Sequence, residues 1–61
     1  MTQHTLGSAI TALRKQKGMT QQELADRMGV TDKAVSKWER DQSLPDVYAL
    51  AKLANLFEVT V

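Results

Sequence analysis

The sequence predicts an all-α fold, a compact bundle of four short helices. Three observations predict it. Apolar residues recur at spacings of three and four, a capping signal opens each of those runs, and nowhere do apolar and polar residues alternate as a half-buried strand requires. Leu6, Ile10 and Leu13 form the first run, with Ala9 and Ala12 alongside and Thr5 as the N-cap. Arg14, Lys15 and Lys17 suit the negative end of that helix, and Gly18 can close it in a left-handed turn, giving a helix over about residues 6–17. Thr20-Gln21-Gln22-Glu23 is a capping box opening a helix over 21–28, with Leu24, Ala25 and Met28 as its buried stripe and Gly29 at its end. Thr31 caps a third helix over 32–40, with Asp32 in its first turn and Ala34, Val35 and Trp38 facing inward. Pro45 and Asp46 open a fourth over 46–57, with Val47, Leu50, Ala51, Leu53, Ala54, Leu56 and Phe57 on its apolar face.

Length and composition narrow the function. Sixty-one residues make one small domain, 1–61, which buries only about 60% of its unfolded surface. Apolar residues make up 43% and charged residues 25%, a globular composition. There is no cysteine, which removes disulfides and thiolate metal sites and fits a reducing cytoplasm. No apolar run reaches the ~20 residues of a membrane span. His4 lies in a tail, Met1 to Thr5, without neighbouring ligand types, so no metal or cofactor is expected. With no Ser/His/Asp or Cys/His set and no glycine-rich phosphate loop, the chain does not read as an enzyme. A net charge of +1 is too small for a general nucleic-acid coat, so any DNA binding depends on where the charges sit.

The decisive feature is the pair of capped helices joined by Gly29-Val30-Thr31, a helix-turn-helix unit over 21–40. Ala25 lets the two helices cross closely, and Gly29 takes positive φ without a steric penalty. Val35 and Trp38 anchor the third helix while its opposite face stays free. Trp38 is expected to fill the core with its indole N–H at the wet edge.

Over residues 6–59 the chain resembles the phage-repressor/Cro-like family of bacterial regulators, also called the xenobiotic-response-element class. The residues that carry the resemblance are Ile10-Thr11-Ala12-Leu13-Arg14, Met19-Thr20-Gln21-Gln22-Glu23-Leu24-Ala25, Gly29-Val30-Thr31 and Val35-Ser36-Lys37-Trp38-Glu39-Arg40. The resemblance implies a lambda-repressor-like fold, here four helices of a usual five, with Thr60 placed as the N-cap of the fifth. It implies a sequence-specific DNA-binding transcription regulator, a repressor first, with activation compatible with the same residues. The third helix would lie in the major groove of double-stranded DNA. Asp32, Lys33, Ser36 and Lys37 become the candidate base readers: lysine can donate to guanine, and aspartate can accept from cytosine. Gln21, Gln22, Arg40, Gln42 and Ser43 become candidate phosphate contacts, Gln22 reaching a phosphate or a base. Arg14 and Glu39 are implied as a structural ion pair outside the DNA site. A homodimer on a near-palindromic operator follows from the same resemblance, with half-sites about 34 Å apart.

Two positions depart from the family pattern. Asp41 and Glu58 stand where glycines are usual, so strain is expected after the third and fourth helices. Leu53 and Leu56 widen the apolar stripe of the fourth helix, and Leu56, Val59 and Val61 ask for cover from a partner subunit or a longer native chain. That surface supports the competing reading, a protein-interaction adapter that uses the apolar face of helix 46–57 and does not bind DNA.

Overall fold

A computed structural model describes residues 5–58. Within them lie four helices, α1 Leu6–Gln16, α2 Gln21–Met28, α3 Asp32–Glu39 and α4 Val47–Phe57, and no strand. The helices are shorter than expected by one residue at three places, each for a capping reason. Lys17 and Arg40 are C-caps, not helical residues, and Asp46 stands outside α4 as its N-cap, accepting a hydrogen bond from the Ala49 amide at 2.8 Å. Met1 to His4 and Val59 to Val61, including the expected fifth-helix cap at Thr60, lie outside the described residues.

Every helix starts on an oxygen side chain. Thr5, Thr20, Thr31 and Asp46 each accept from the amide three residues on, which satisfies one of the unpaired donors of the first turn. At Thr20 the bond is reciprocated: Glu23 accepts from the Thr20 amide at 3.0 Å, completing the capping box.

Three helix ends share a second device. Gly18, Gly29 and Asp41 all have positive φ, at 69°, 71° and 59°. Each donates its amide to the carbonyl three residues back, and the residue after each donates to the carbonyl five back: Met19 to Arg14, Val30 to Ala25, Gln42 to Lys37. This is the Schellman closure, and it folds Met19 and Val30 back toward the core. Glu58 takes the same left-handed region at φ 57°. The two expected departures therefore keep the left-handed backbone that glycine would adopt.

The core comprises Ile10, Met19, Leu24, Ala25, Met28, Val35, Trp38, Leu53 and Phe57. Leu24 and Val35 are fully buried, each contributing about 1.5–3 kcal/mol relative to exposure. Ala25 is also fully buried, where α2 crosses α3. The apolar stripes are narrower than the sequence suggested. Ala9, Ala12 and Ala51 are exposed, Leu6 only partly covered, and Val47 is 72% exposed, because α4 joins the core through its second half.

Gly7, within the first turn of α1, is buried against the far end of α3. A Cβ there would fall inside contact distance of the Trp38 carbonyl oxygen and 2.7 Å from both the Glu39 carbonyl and Asp41 Oδ1. Alanine is intrinsically the better helix former by about 1 kcal/mol, but overpacking against backbone costs about 1–3 kcal/mol. Gly7→Ala should therefore lower the urea midpoint of unfolding; an unchanged or raised midpoint would show that α1 can move away. Glu58→Gly should do the reverse and raise stability by up to about 1 kcal/mol, read from the same titration, by removing a left-handed Cβ.

Candidate nucleic-acid interface

The site rests on how α3 is held. Its inner face places Val35 and Trp38 in the core, which turns Asp32, Lys33 and Lys37 outward, all exposed. Lys33 and Lys37 are four residues apart and so share one strip of surface. Ser36, one position around, is half-buried, and Ala34 packs partly against the core. Eight helical residues span about 12 Å, close to the width of the major groove.

A buried charge pair fixes the angle of that helix. The Arg14 guanidinium on α1 meets Glu39 at the end of α3 through two bonds, Nε to Oε2 at 2.7 Å and Nη2 to Oε1 at 3.2 Å. Its third nitrogen, Nη1, donates to the Met19 carbonyl at 2.7 Å, in the turn between α1 and α2. Gln21 Nε2 adds a donor to Glu39 Oε1 at 3.1 Å. The side chains of the pair are only 12% and 5% exposed. Burial pushes the Glu39 carboxyl pKa up, but hydrogen bonds from Arg14, Gln21 and Thr11 and the charge of Arg14 outweigh it, holding the pKa below the ordinary value. The Thr11 hydroxyl also lies 3.0 Å from the Gly7 carbonyl, so its single proton serves one acceptor at a time.

The flanks complete the surface. Gln21 stands at the start of α2, half-buried, with its side-chain amide directed to Glu39; any phosphate contact there falls to the second N–H of that amide or to backbone amides. Gln22 is exposed and donates to Asp26 at 2.9 Å. Arg40 is exposed and folds back so that its Nε donates to the Ser36 carbonyl at 3.3 Å. Gln42 and Ser43 are exposed in the turn after α3, and the Gln42 amide is held by the Lys37 carbonyl at 2.9 Å. The structure thus brings Asp32, Lys33, Lys37, Arg40, Gln42 and Ser43 onto one helix and its exit. Sequence reasoning missed two features, the inward bond of Gln21 and the carboxylate of Asp41, which accepts from Thr5 Oγ1 at 2.7 Å and from the Gly7 amide at 3.0 Å. Neither has a local pattern, since their partners lie 18 to 36 residues away.

Among the described residues, no His, Cys, Asp or Glu group is placed to hold a metal ion, and no helix is long and apolar enough to cross a membrane. Leu56 packs partly against the core; among the described residues the most exposed large apolar side chains are Leu44, Val47 and Tyr48, at and just before the start of α4, so of the helix 46–57 face that the adapter reading used the exposed part is its first turn.

A family model described as Helix-turn-helix matches residues 10–61. The chain belongs to the helix-turn-helix family, in its phage-repressor form. This is a family of DNA-binding transcription regulators. Among its relatives, HTH-type transcriptional regulator ImmR of Bacillus subtilis (strain 168) is 36% identical over 56 residues, covering 92% of this chain and 44% of ImmR. HTH-type transcriptional activator BcrR of Enterococcus faecalis is 37% identical over 49 residues, 80% of this chain and 24% of BcrR. The chain therefore spans less than half the length of these two relatives. The crystal structure of the P22 c2 repressor with a synthetic operator superimposes with a TM-score of 0.89 at 29% identity, covering 95% of this chain and 88% of that one.

The Arg14–Glu39 pair makes a test of site geometry that needs no DNA. Removing one partner of a buried pair costs about 3–5 kcal/mol. A domain of this size has a total stability of roughly 3–9 kcal/mol. Arg14→Ala should leave much of the chain unfolded in thermal melts at physiological temperature. The lowered Glu39 pKa means this stabilisation is complete above the unfolded-state value of about 4.3 and is lost as pH falls through the folded-state value. Acid titration should show wild-type stability falling below that pH and a shallower fall for Glu39→Gln; equal slopes would remove Glu39 as the cause.

Proposed function

We propose that this chain binds a specific double-stranded DNA operator by laying α3 in the major groove, and that it acts there as a transcriptional repressor. The observation that carries the reading is the close backbone match to a repressor solved on its operator, in a chain whose α3 turns Asp32, Lys33 and Lys37 outward. Lys33 and Lys37 donate to guanine edges, Asp32 accepts from a cytosine amino group, and Ser36 assists at the helix's margin. Arg40, Gln42 and Ser43 hold one flanking phosphate run, and the start of α2 at Gln21 and Gln22 the other, with its helix dipole favouring an anion. The working form is a homodimer on a near-palindrome, acting in the cytoplasm without catalysis, metal or cofactor. Its modest net charge suits a regulator that relies on a local basic strip more than on a general field.

Selection from a random duplex pool tests the reading. The wild-type chain should enrich one half-site sequence. Lys33→Ala should relax selection at one base position, at a cost of about 1–3 kcal/mol of discrimination. Arg40→Ala should weaken binding uniformly and reduce the salt slope by about 1. A Lys33→Ala/Lys37→Ala double variant that enriches the same site with equal affinity would remove α3 as the reader, and absence of any enrichment would favour the adapter.

A further inference from the structure

At three helix ends the chain makes the same left-handed closure, and of these α3 alone makes it with a residue that carries a Cβ; α4 also ends on a left-handed residue with a Cβ, Glu58. Asp41 accepts a steric strain that Gly18 and Gly29 avoid. Its side chain shows what the substitution does. Oδ1 accepts from the Gly7 amide at 3.0 Å, and Oδ2 accepts from the Thr5 hydroxyl at 2.7 Å. Thr5 Oγ1 in turn accepts from the Ser8 amide, so two first-turn donors of α1 end on one linked pair of side chains. The first turn of α1 holds no acidic residue of its own, and Asp41 supplies the negative charge that this helix end favours. Gly7 leaves no room for a Cβ between α1 and the last carbonyls of α3, so the approach is close.

We propose that Asp41 is a positioning residue for DNA recognition: its carboxylate, clamped on the first turn of α1, fixes where α3 ends and where the 40–43 turn leaves it. The inference rests on the DNA-binding reading above. The clamp acts at a junction, because Asp41 is the left-handed residue whose closure ties the Gln42 amide to the Lys37 carbonyl. Arg40, Gln42 and Ser43, the phosphate candidates, flank it directly, while Lys37 belongs to the reading strip. Phosphate contacts set register, so the clamp holds the register of the turn relative to the reading helix. The Arg14–Glu39 pair cannot do this alone. It grips Glu39 through its side chain and makes no hydrogen bond to the chain after Arg40.

Asp41→Gly separates positioning from folding, since glycine takes the left-handed backbone without strain and deletes only the carboxylate. Asp41→Asn keeps an acceptor for Gly7. Amide hydrogen exchange on the free protein and operator affinity across salt are measured at a temperature where all three forms are folded. In Asp41→Gly the Gly7 and Gln42 amides should exchange faster, operator affinity should fall about tenfold, and the salt dependence should become shallower as phosphate contacts are lost. Asp41→Asn should recover most of each. Unchanged exchange overturns the clamp. Faster exchange with unchanged affinity and salt slope overturns the positioning role. A wild-type chain that enriches no duplex overturns the DNA reading and this role with it, while the exchange result still decides whether the clamp exists.

Discussion

The structure depends on one guanidinium. A core of nine buried residues packs α2 against α3 well, but apolar contact is non-directional and leaves the tilt of a two-turn helix weakly set. Arg14 supplies the direction. Its planar fork meets Glu39 in two bonds and the Met19 carbonyl in a third, so α1, the turn into α2 and the end of α3 share one rigid group. Gln21 closes the arrangement from α2. A lysine could not substitute, because a point charge would satisfy Glu39 without fixing an angle. The pair is also the main buried polar liability of the fold, and it is tolerable because, among the described residues, no buried side-chain nitrogen or oxygen is left without a hydrogen-bond partner.

Around that centre the chain solves the same problem repeatedly with local means. Each helix opens on a hydroxyl or carboxylate and closes on a left-handed residue, so short helices that would not persist alone are bounded on both sides. Four short helices then need only a small core. The device also explains why the loops are so brief: the Schellman bonds turn the chain within two residues, which leaves Met19 and Val30 folded back on the core as part of the turn itself.

Much of this was legible in the residues. The capping box at Thr20, the caps at Thr5, Thr31 and Asp46, and the closing glycines are written within three or four residues of where they act, so helix existence and order could be read directly. Helix ends shifted by one residue because a cap and a helical residue look alike in sequence. The extent of burial was less legible. Val47 has the right spacing for a core position, yet it is exposed because in the first turn of α4 it is Ala49 that packs toward the core. The outward strip of Lys33 and Lys37 followed from the inward anchors Val35 and Trp38. What could not be read were contacts across the chain: Gln21 with Glu39, and Asp41 with Thr5 and Gly7. Asp41 read as a tolerated defect because its benefit lies 34 to 36 residues away.

The division of α3 into two faces carries an evolutionary consequence. Asp32, Lys33 and Lys37 make no side-chain hydrogen bond or ion pair among the described residues, whereas every residue that holds the helix in place lies on its other side or at its end. Exchanging those three side chains therefore alters what the surface offers without touching the contacts that keep it in position, Asp32 adding only its favourable charge at the start of the helix. Most surface changes of this sort shift stability by less than about 0.5 kcal/mol. A lineage built on this scaffold can change what that surface presents at little cost to folding. Ser36, half-buried between the two faces, is the position where that freedom ends.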